Sequence, residues 1–217
     1  MAFTQQEIQE LYHRRARNYD LTANLYYLLG FREWAYRQQA VQALQLSPGD
    51  TVVEIGCGTG LNFSLLHEAV GNRGKIIGVD LTPEMLQQAA RRVERHQWSN
   101  VELVPMDATR YEYPSRVDGV LSTFAITLIP EYDQVIRQGA QALSKNKHFV
   151  ILDLKFPENW PTWLVQLFVA ISRPFGVTED LADRHPWESI RRYLTEVDFR
   201  ELYFGGVYLC VGTAISA

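Results

Sequence analysis

Apolar positions along this chain change period several times, and each change marks a new element. Near the N-terminus Ile8, Leu11, Tyr12 and Tyr19, with the stem of Arg15, recur at helical steps, the spacing of one helix face. Thr4 and Glu7 stand at capping-box spacing, so a helix should start near Gln5. A second helical stretch runs from Trp34 to Leu46, where Ser47-Pro48-Gly49-Asp50 breaks it. Short apolar runs then alternate with helical patterns. Thr51–Ile55, Lys75–Val79, Val101–Val104, Val117–Ser122 and Phe149–Asp153 read as buried strands. Helices fall over Leu61–Val70, from Pro83 to His96, and over Glu131–Leu143. Thr82 is the natural N-cap of the middle one, with Pro83 at its first position. Strands alternating with helices predict an α/β domain with a mostly parallel sheet. The end differs: Phe199–Phe204 and Tyr208–Thr213 flank Gly205-Gly206, which reads as an antiparallel hairpin. A parallel sheet closed by such a hairpin is unusual for a dinucleotide-binding fold.

The bulk numbers narrow the function. The 217 residues, 47% hydrophobic and 21% charged, fit one domain with one good core. A net charge of -4 argues against a nucleic-acid partner, since phosphate binding usually needs a basic face. The basic cluster Arg14, Arg15 and Arg17 reads as a solvated helix face. Cys57 and Cys210 give neither a disulfide framework nor metal-ligand spacing, which points to a reducing cytoplasm. The polar N-terminus lacks a signal core, and no apolar run reaches the roughly 18 residues of a membrane span.

The sharpest motif is Val52-Val53-Glu54-Ile55-Gly56-Cys57-Gly58-Thr59-Gly60. A strand ends in a glycine turn that opens a helix. Glycines let backbone approach a ligand, and a helix N-terminus offers free N–H groups. Its third glycine comes one residue earlier than in the dinucleotide fingerprint. Glu54 precedes the loop and would repel a phosphate; it suits a ligand with a positive end, such as an α-amino group. Asp80, at the end of the next strand, is placed to accept from ribose hydroxyls. Asp107, in Val104-Pro105-Met106-Asp107-Ala108, follows the third strand, where a side chain could reach an adenine amino group.

Together Glu54–Gly60, Gly78-Val79-Asp80-Leu81-Thr82-Pro83-Glu84-Met85-Leu86 and Met106-Asp107-Ala108 resemble the successive cofactor motifs of class I methyltransferases over residues 50–155. The resemblance implies a Rossmann-like, seven-stranded, mostly parallel sheet with an antiparallel last strand, and S-adenosyl-L-methionine as cofactor, released as S-adenosyl-L-homocysteine. It implies cofactor contacts from Tyr19, Glu54, Gly56, Cys57, Gly58, Gly60, Asp80, Leu81, Met85, Asp107, Ala108, Ser122 and Thr123. Tyr19-Asp20-Leu21 with Leu29-Gly30-Phe31-Arg32-Glu33-Trp34 resembles the leader of ubiquinone/menaquinone C-methyltransferases and of bacterial phosphatidylethanolamine N-methyltransferases. The chain then divides into a helical leader (1–46), a cofactor-binding core (47–155), a small helical lid (156–196) and a C-terminal hairpin (197–217). Where the family usually carries a Pro-Gly-Gly turn before the fifth strand, this chain has Lys145-Asn146-Lys147-His148.

Absences narrow the acceptor. Ser122-Thr123-Phe124-Ala125-Ile126-Thr127 is neither the Asn/Asp-Pro-Pro-Tyr of adenine or glutamine methylation nor a Pro-Cys nucleophile. No acidic cluster suggests a catechol-type magnesium site. Methyl transfer from a sulfonium needs alignment and exclusion of water more than a nucleophile. His13, Tyr12, Tyr19, Asp153 and His185 are the candidate bases; Tyr19 is the one assigned catalysis. The run Trp160-Pro161-Thr162-Trp163 to Ile171 is apolar nearly all round, which suits a buried helix or an apolar partner. Tyr12, Phe124, Trp160 and Trp163 are therefore placed at the acceptor. The expected acceptor is a small lipophilic molecule, a lipid headgroup amine or a quinone ring. A soluble secondary metabolite, or a non-catalytic cofactor-binding protein, is the alternative. Peripheral membrane contact and either a monomer or a homodimer follow as expectations.

Overall fold

The computed structural model describes residues 32–157, 160, 161 and 182–215. The helix read from Gln5 lies outside them, as do Tyr12, Tyr19 and Trp163. Seven strands form one sheet: β1 (Thr51–Ile55), β2 (Lys75–Asp80), β3 (Val101–Pro105), β4 (Val117–Thr123), β5 (Leu143–Leu154), β6 (Thr195–Leu202) and β7 (Val207–Thr213). Their order is β3-β2-β1-β4-β5-β7-β6. β1 to β5 are parallel, and β7 runs antiparallel to both β5 and β6. The expected reversed hairpin is therefore present, with Tyr203–Gly205 forming a short 3₁₀ turn at its tip.

Alternate strand residues supply two cores, as period-two packing requires. Val52, Ile76, Leu121, Val150 and Leu209 face helices α1 (Glu33–Ala43), α2 (Phe63–Val70) and α3 (Pro83–His96). Val53, Ile77, Val120, Phe149 and Tyr208 face α4 (Tyr132–Ala142) and α5 (Pro186–Tyr193). The sheet is thus covered on both sides, which is why its strands read as continuous apolar runs.

Two details differ from the sequence reading. Helix α5 falls inside the stretch assigned to the lid, yet its Ile190 is fully buried against the sheet. Gly212 on β7 makes this close approach possible: a Cβ there would lie 2.6 Å from Ile190 Cγ2. Pro186 opens the helix at its first position. Strand β5 also begins earlier than expected and contains Lys145–His148. Asn146 takes a left-handed φ of 61°, a conformation Asn tolerates better than most residues. Its N–H donates to the Ala214 carbonyl at 2.7 Å. Lys147 pairs with Asp50 at 2.6 Å.

Candidate functional site

The parallel strands end on one side of the sheet, and a cavity of about 130 Å³ opens there. Crevices at the carboxyl ends of strands are where open α/β sheets bind ligands. The glycine turn after β1 forms its floor. Gly56 and Cys57 both donate to the Val79 carbonyl, at 2.8 and 3.1 Å, tying the turn to the end of β2. Gly56 sits at φ +67° with Ala125 pressed against it; a Cβ would stand 2.3 Å from Ala125 Cβ. Gly58 sits at φ +54°, and a Cβ there would meet nothing within 4 Å. Gly56 is therefore small for the protein's own packing, while Gly58 leaves bare backbone beside open space. Burial pushes the Cys57 thiol well above its usual pKa, so it remains a neutral part of the wall.

Asp80 closes β2 and braces the same turn. Its Oδ2 accepts from Gly58 N and its Oδ1 from Thr82 N, both at 2.8 Å. Burial raises its pKa, and the two amide donors partly offset that. Asp107 caps the short 3₁₀ turn Ala108–Arg110 by accepting from Thr109 N at 2.9 Å. Asp80, Leu81, Met85, Asp107 and Ala108 all line the cavity beside Gly56, Cys57 and Gly58. Thr123 and Phe124 line it from the end of β4. Phe124 holds a left-handed φ of 54°, costly for a bulky side chain and common where a site dictates shape.

Three sequence-assigned residues stand behind this wall. Gly60 packs against Phe63, whose ring would lie 2.5 Å from a Cβ. Ser122 is fully buried and donates to the Ile55 carbonyl at 3.1 Å. Glu54 is 1% exposed, and its Oε1 accepts from Asn62 Nδ2 at 2.5 Å. Burial raises the Glu54 pKa to about 7 despite that bond and the nearby Arg37 charge. Its other oxygen has no hydrogen-bond partner among the described residues. Trp160 is also away from the wall: its indole N–H donates to the Phe204 carbonyl at 3.0 Å, at the hairpin tip. Among the candidate bases, Asp153 is buried and receives the amides of Thr127 and Leu154. His185 stands beside Glu188, with Nδ1 3.7 Å from its carboxylate.

Sequence reasoning missed Arg37. It is 5% exposed, lines the cavity, and donates to Thr123 Oγ1 at 2.6 Å and Asn62 Oδ1 at 3.2 Å. Its other nitrogens hold Glu33 at 2.7 and 2.9 Å. The guanidinium also sits 5.2 Å from the Phe124 ring centre. A signal existed: Arg37 falls on the stripe Ala40, Val41 and Leu44 that α1 buries, and a charge on a buried stripe needs a partner. The apolar wall Ala125, Leu128, Ile129 and Pro130 was missed as well. Among the described residues no group of His, Cys, Asp and Glu could hold a metal ion.

The comparisons fit this geometry. A family model described as a methyltransferase domain matches residues 46–188, and the chain belongs to that family. It is 29% identical over 127 residues to the demethylmenaquinone methyltransferase of Alkalihalophilus pseudofirmus, covering 58% of this chain and 54% of that protein. Several such relatives are matched over only about half to two thirds of their length. The demethylmenaquinone methyltransferase of Symbiobacterium thermophilum is 25% identical over 96% of this chain and 93% of its own. Among solved structures, a SAM-dependent methyltransferase from Aquifex aeolicus superposes with a TM-score of 0.60 at 17% identity, covering 82% of this chain and 89% of that one. The geranyl diphosphate C-methyltransferase of Streptomyces coelicolor A3(2) gives 0.67 at 14% identity, covering 84% and 79%. These two share the Rossmann-like fold of this chain.

Proposed function

We propose that this protein transfers a methyl group from S-adenosyl-L-methionine to a small lipophilic, quinone-like acceptor. The observation that carries the reading is the division of the cavity. One side is backbone and carboxylate, from the Gly56–Gly58 turn to Asp80 and Asp107; the other is apolar, from Phe124 to Pro130. The residues present fit the cofactor. Gly58 leaves open space where any side chain would stand. Asp80 retains acceptor capacity for a ribose diol, since each carboxylate oxygen has more than one lone pair. Glu54 and Arg37 place opposite charges near one end of the cavity, which suits an amino acid.

S-adenosyl-L-methionine, when bound, supplies an activated carbon on a sulfonium, so no covalent nucleophile is required. The chain's task is then to align and to exclude water. The glycine turn, Asp80, Leu81, Met85, Asp107 and Ala108 would hold the nucleoside. Arg37 and Thr123, backed by Asn62 and Glu54, would hold the amino-acid end. The apolar wall would seat the acceptor ring. Tyr19 is the residue proposed to handle a proton from the acceptor.

A lipophilic acceptor implies contact with a bilayer surface. No described helix is long and apolar enough to cross a membrane. Phe204, 85% exposed at the hairpin tip, supports a peripheral encounter, because aromatic side chains favour the bilayer interface. The test is mass spectrometry of products after incubation with S-adenosyl-L-methionine and either a lipid or a polar metabolite extract. Methylation in the lipid fraction is the expected outcome. Methylation confined to the polar fraction would overturn the lipophilic acceptor while keeping the transferase.

A further inference from the structure

The backbone of Thr127 is held at both ends by side chains from distant parts of the chain. Its N–H donates to Asp153 Oδ2 at 3.0 Å. Its carbonyl accepts from Arg184 Nη1 at 2.8 Å. Asp153 comes from the end of β5, 3% exposed, and its other oxygen is fixed by Leu154 N at 2.8 Å. Arg184 comes from the segment immediately before α5. His185 N adds a second tie to the same region by donating to Tyr132 Oη at 3.3 Å.

Thr127 itself is buried and does not reach the cavity. Its neighbours do: Phe124, Ala125, Leu128, Ile129 and Pro130 form the apolar side. These residues form or flank a single 3₁₀ turn, Ile126–Leu128, whose own bonds are two, Leu128 N to the Ala125 carbonyl at 3.0 Å and Ile129 N to the Ile126 carbonyl at 3.1 Å, of the poorer 3₁₀ geometry. Two charged side chains gripping the residue between them add charge-assisted bonds. Asp153 therefore has a use other than that of a base.

We propose that Asp153 and Arg184 are positioning residues that clamp Thr127 from both sides and thereby set the acceptor-facing wall. This rests on reading the cavity as a joint cofactor and acceptor site. Loss of either grip loosens the wall, while the glycine turn keeps its own ties to the Val79 carbonyl and to Asp80 at the end of β2.

The test compares Arg184→Met, Arg184→Lys and Asp153→Asn with the native protein. Three quantities are read: S-adenosyl-L-methionine affinity by calorimetry, menadione affinity by tryptophan quenching, and hydrogen exchange of the amides of residues 125–130. Expected results are about tenfold weaker menadione binding and faster exchange in Arg184→Met and Asp153→Asn, with cofactor affinity changed less than about twofold. Arg184→Lys, which keeps a charged donor, recovers most of the loss. Native menadione affinity and unchanged exchange in Arg184→Met overturn the clamp, even if Asp153→Asn fails to fold. If the native protein binds the cofactor but not menadione, the quinone reading fails, and exchange alone decides the clamp. A uniform loss of cofactor affinity, unrescued by lysine, also overturns it, because general destabilisation would then account for everything.

Discussion

Arg37 Nη1 donates to Thr123 Oγ1 at 2.6 Å, joining the first turns of α1 to the end of β4 across the inner end of the cavity. Asn62 completes the junction by donating to Thr123 at 2.8 Å and to Glu54 at 2.5 Å. Four elements thus meet through one polar cluster inside an otherwise apolar layer. A half-satisfied cluster of this kind costs more than an apolar one.

Removing the guanidinium should therefore expose the dependence. Arg37→Met leaves the Glu33 carboxylate and Asn62 Oδ1 without that donor, while Thr123 Oγ1 still accepts from Asn62 Nδ2. Breaking a buried charge pair typically costs about 3–5 kcal/mol; because Glu33 can reach water, about 2–3 kcal/mol is expected here. Urea unfolding checks this. If Arg37 also holds the amino-acid end of the cofactor, calorimetric affinity falls by tenfold or more, and Arg37→Lys restores stability better than affinity, since a point charge does not replace the fork.

Most of the architecture could be read from period alone. Strands β1 and β2 were located within a residue because both faces of the sheet are covered and their apolar runs are unbroken. Helix α5 escaped because Pro186 suits both a turn and a helix start, and Gly212, which lets Ile190 approach the sheet, lies far along the chain. In the site, the glycine turn, Asp80 and Asp107 were legible because backbone geometry dictates their residue types. Arg37, Asn62 and Leu128 were not. Their roles come from spatial neighbours contributed by α1, α2 and the turn after β4, which sequence spacing does not encode. Gly60 packs against Phe63 and Ser122 donates to the Ile55 carbonyl behind the cavity wall, placements that only the three-dimensional neighbours reveal.

The two turn glycines should respond differently to alanine. At Gly56 a methyl collides with Ala125 Cβ, so Gly56→Ala must shift the β4 turn; a loss of about 2–3 kcal/mol in unfolding free energy is expected. At Gly58 there is room, and the left-handed φ alone costs about 1 kcal/mol. Gly58→Ala should therefore remain folded but lose most of its cofactor affinity, because the methyl occupies the space the ligand needs. Parallel unfolding and calorimetry separate the two; equal affinity in Gly58→Ala and the native protein would remove this backbone from the site.

Asp80 braces the turn, and the proposed ribose contact can be told apart from that task. If the contact exists, Asp80→Ala removes its hydrogen bonds, an expected loss of about 1–3 kcal/mol in cofactor binding, and also frees Gly58 N. Asp80→Asn keeps an acceptor oxygen for one amide but loses the second. Affinity should fall in the order native, Asp80→Asn, Asp80→Ala when measured by calorimetry at one pH. Unchanged affinity in Asp80→Ala would show that its carboxylate serves only the turn.

Glu54 should make stability depend on pH. Its folded pKa is raised to about 7 from 4.5, so the folded state holds the proton more tightly than the unfolded chain. That contribution is fully present below about pH 4.5 and is lost as pH climbs through 7, by an amount of order 3 kcal/mol at most. Asp153, raised to about 6 from 3.8, acts in the same sense over a lower window, and Asp133, whose pKa is lowered by Ser189 and Tyr193, acts oppositely. The comparison with Glu54→Gln isolates the Glu54 share: urea unfolding at pH 5, 6 and 7.5 should show the native protein losing stability relative to the variant as pH rises. A constant difference across that range would mean that Glu54 stays ionised in the folded protein. Binding should run the other way. If the Glu54 carboxylate attracts the positive end of the cofactor, calorimetric affinity increases as pH passes 7, and the increase is absent in Glu54→Gln.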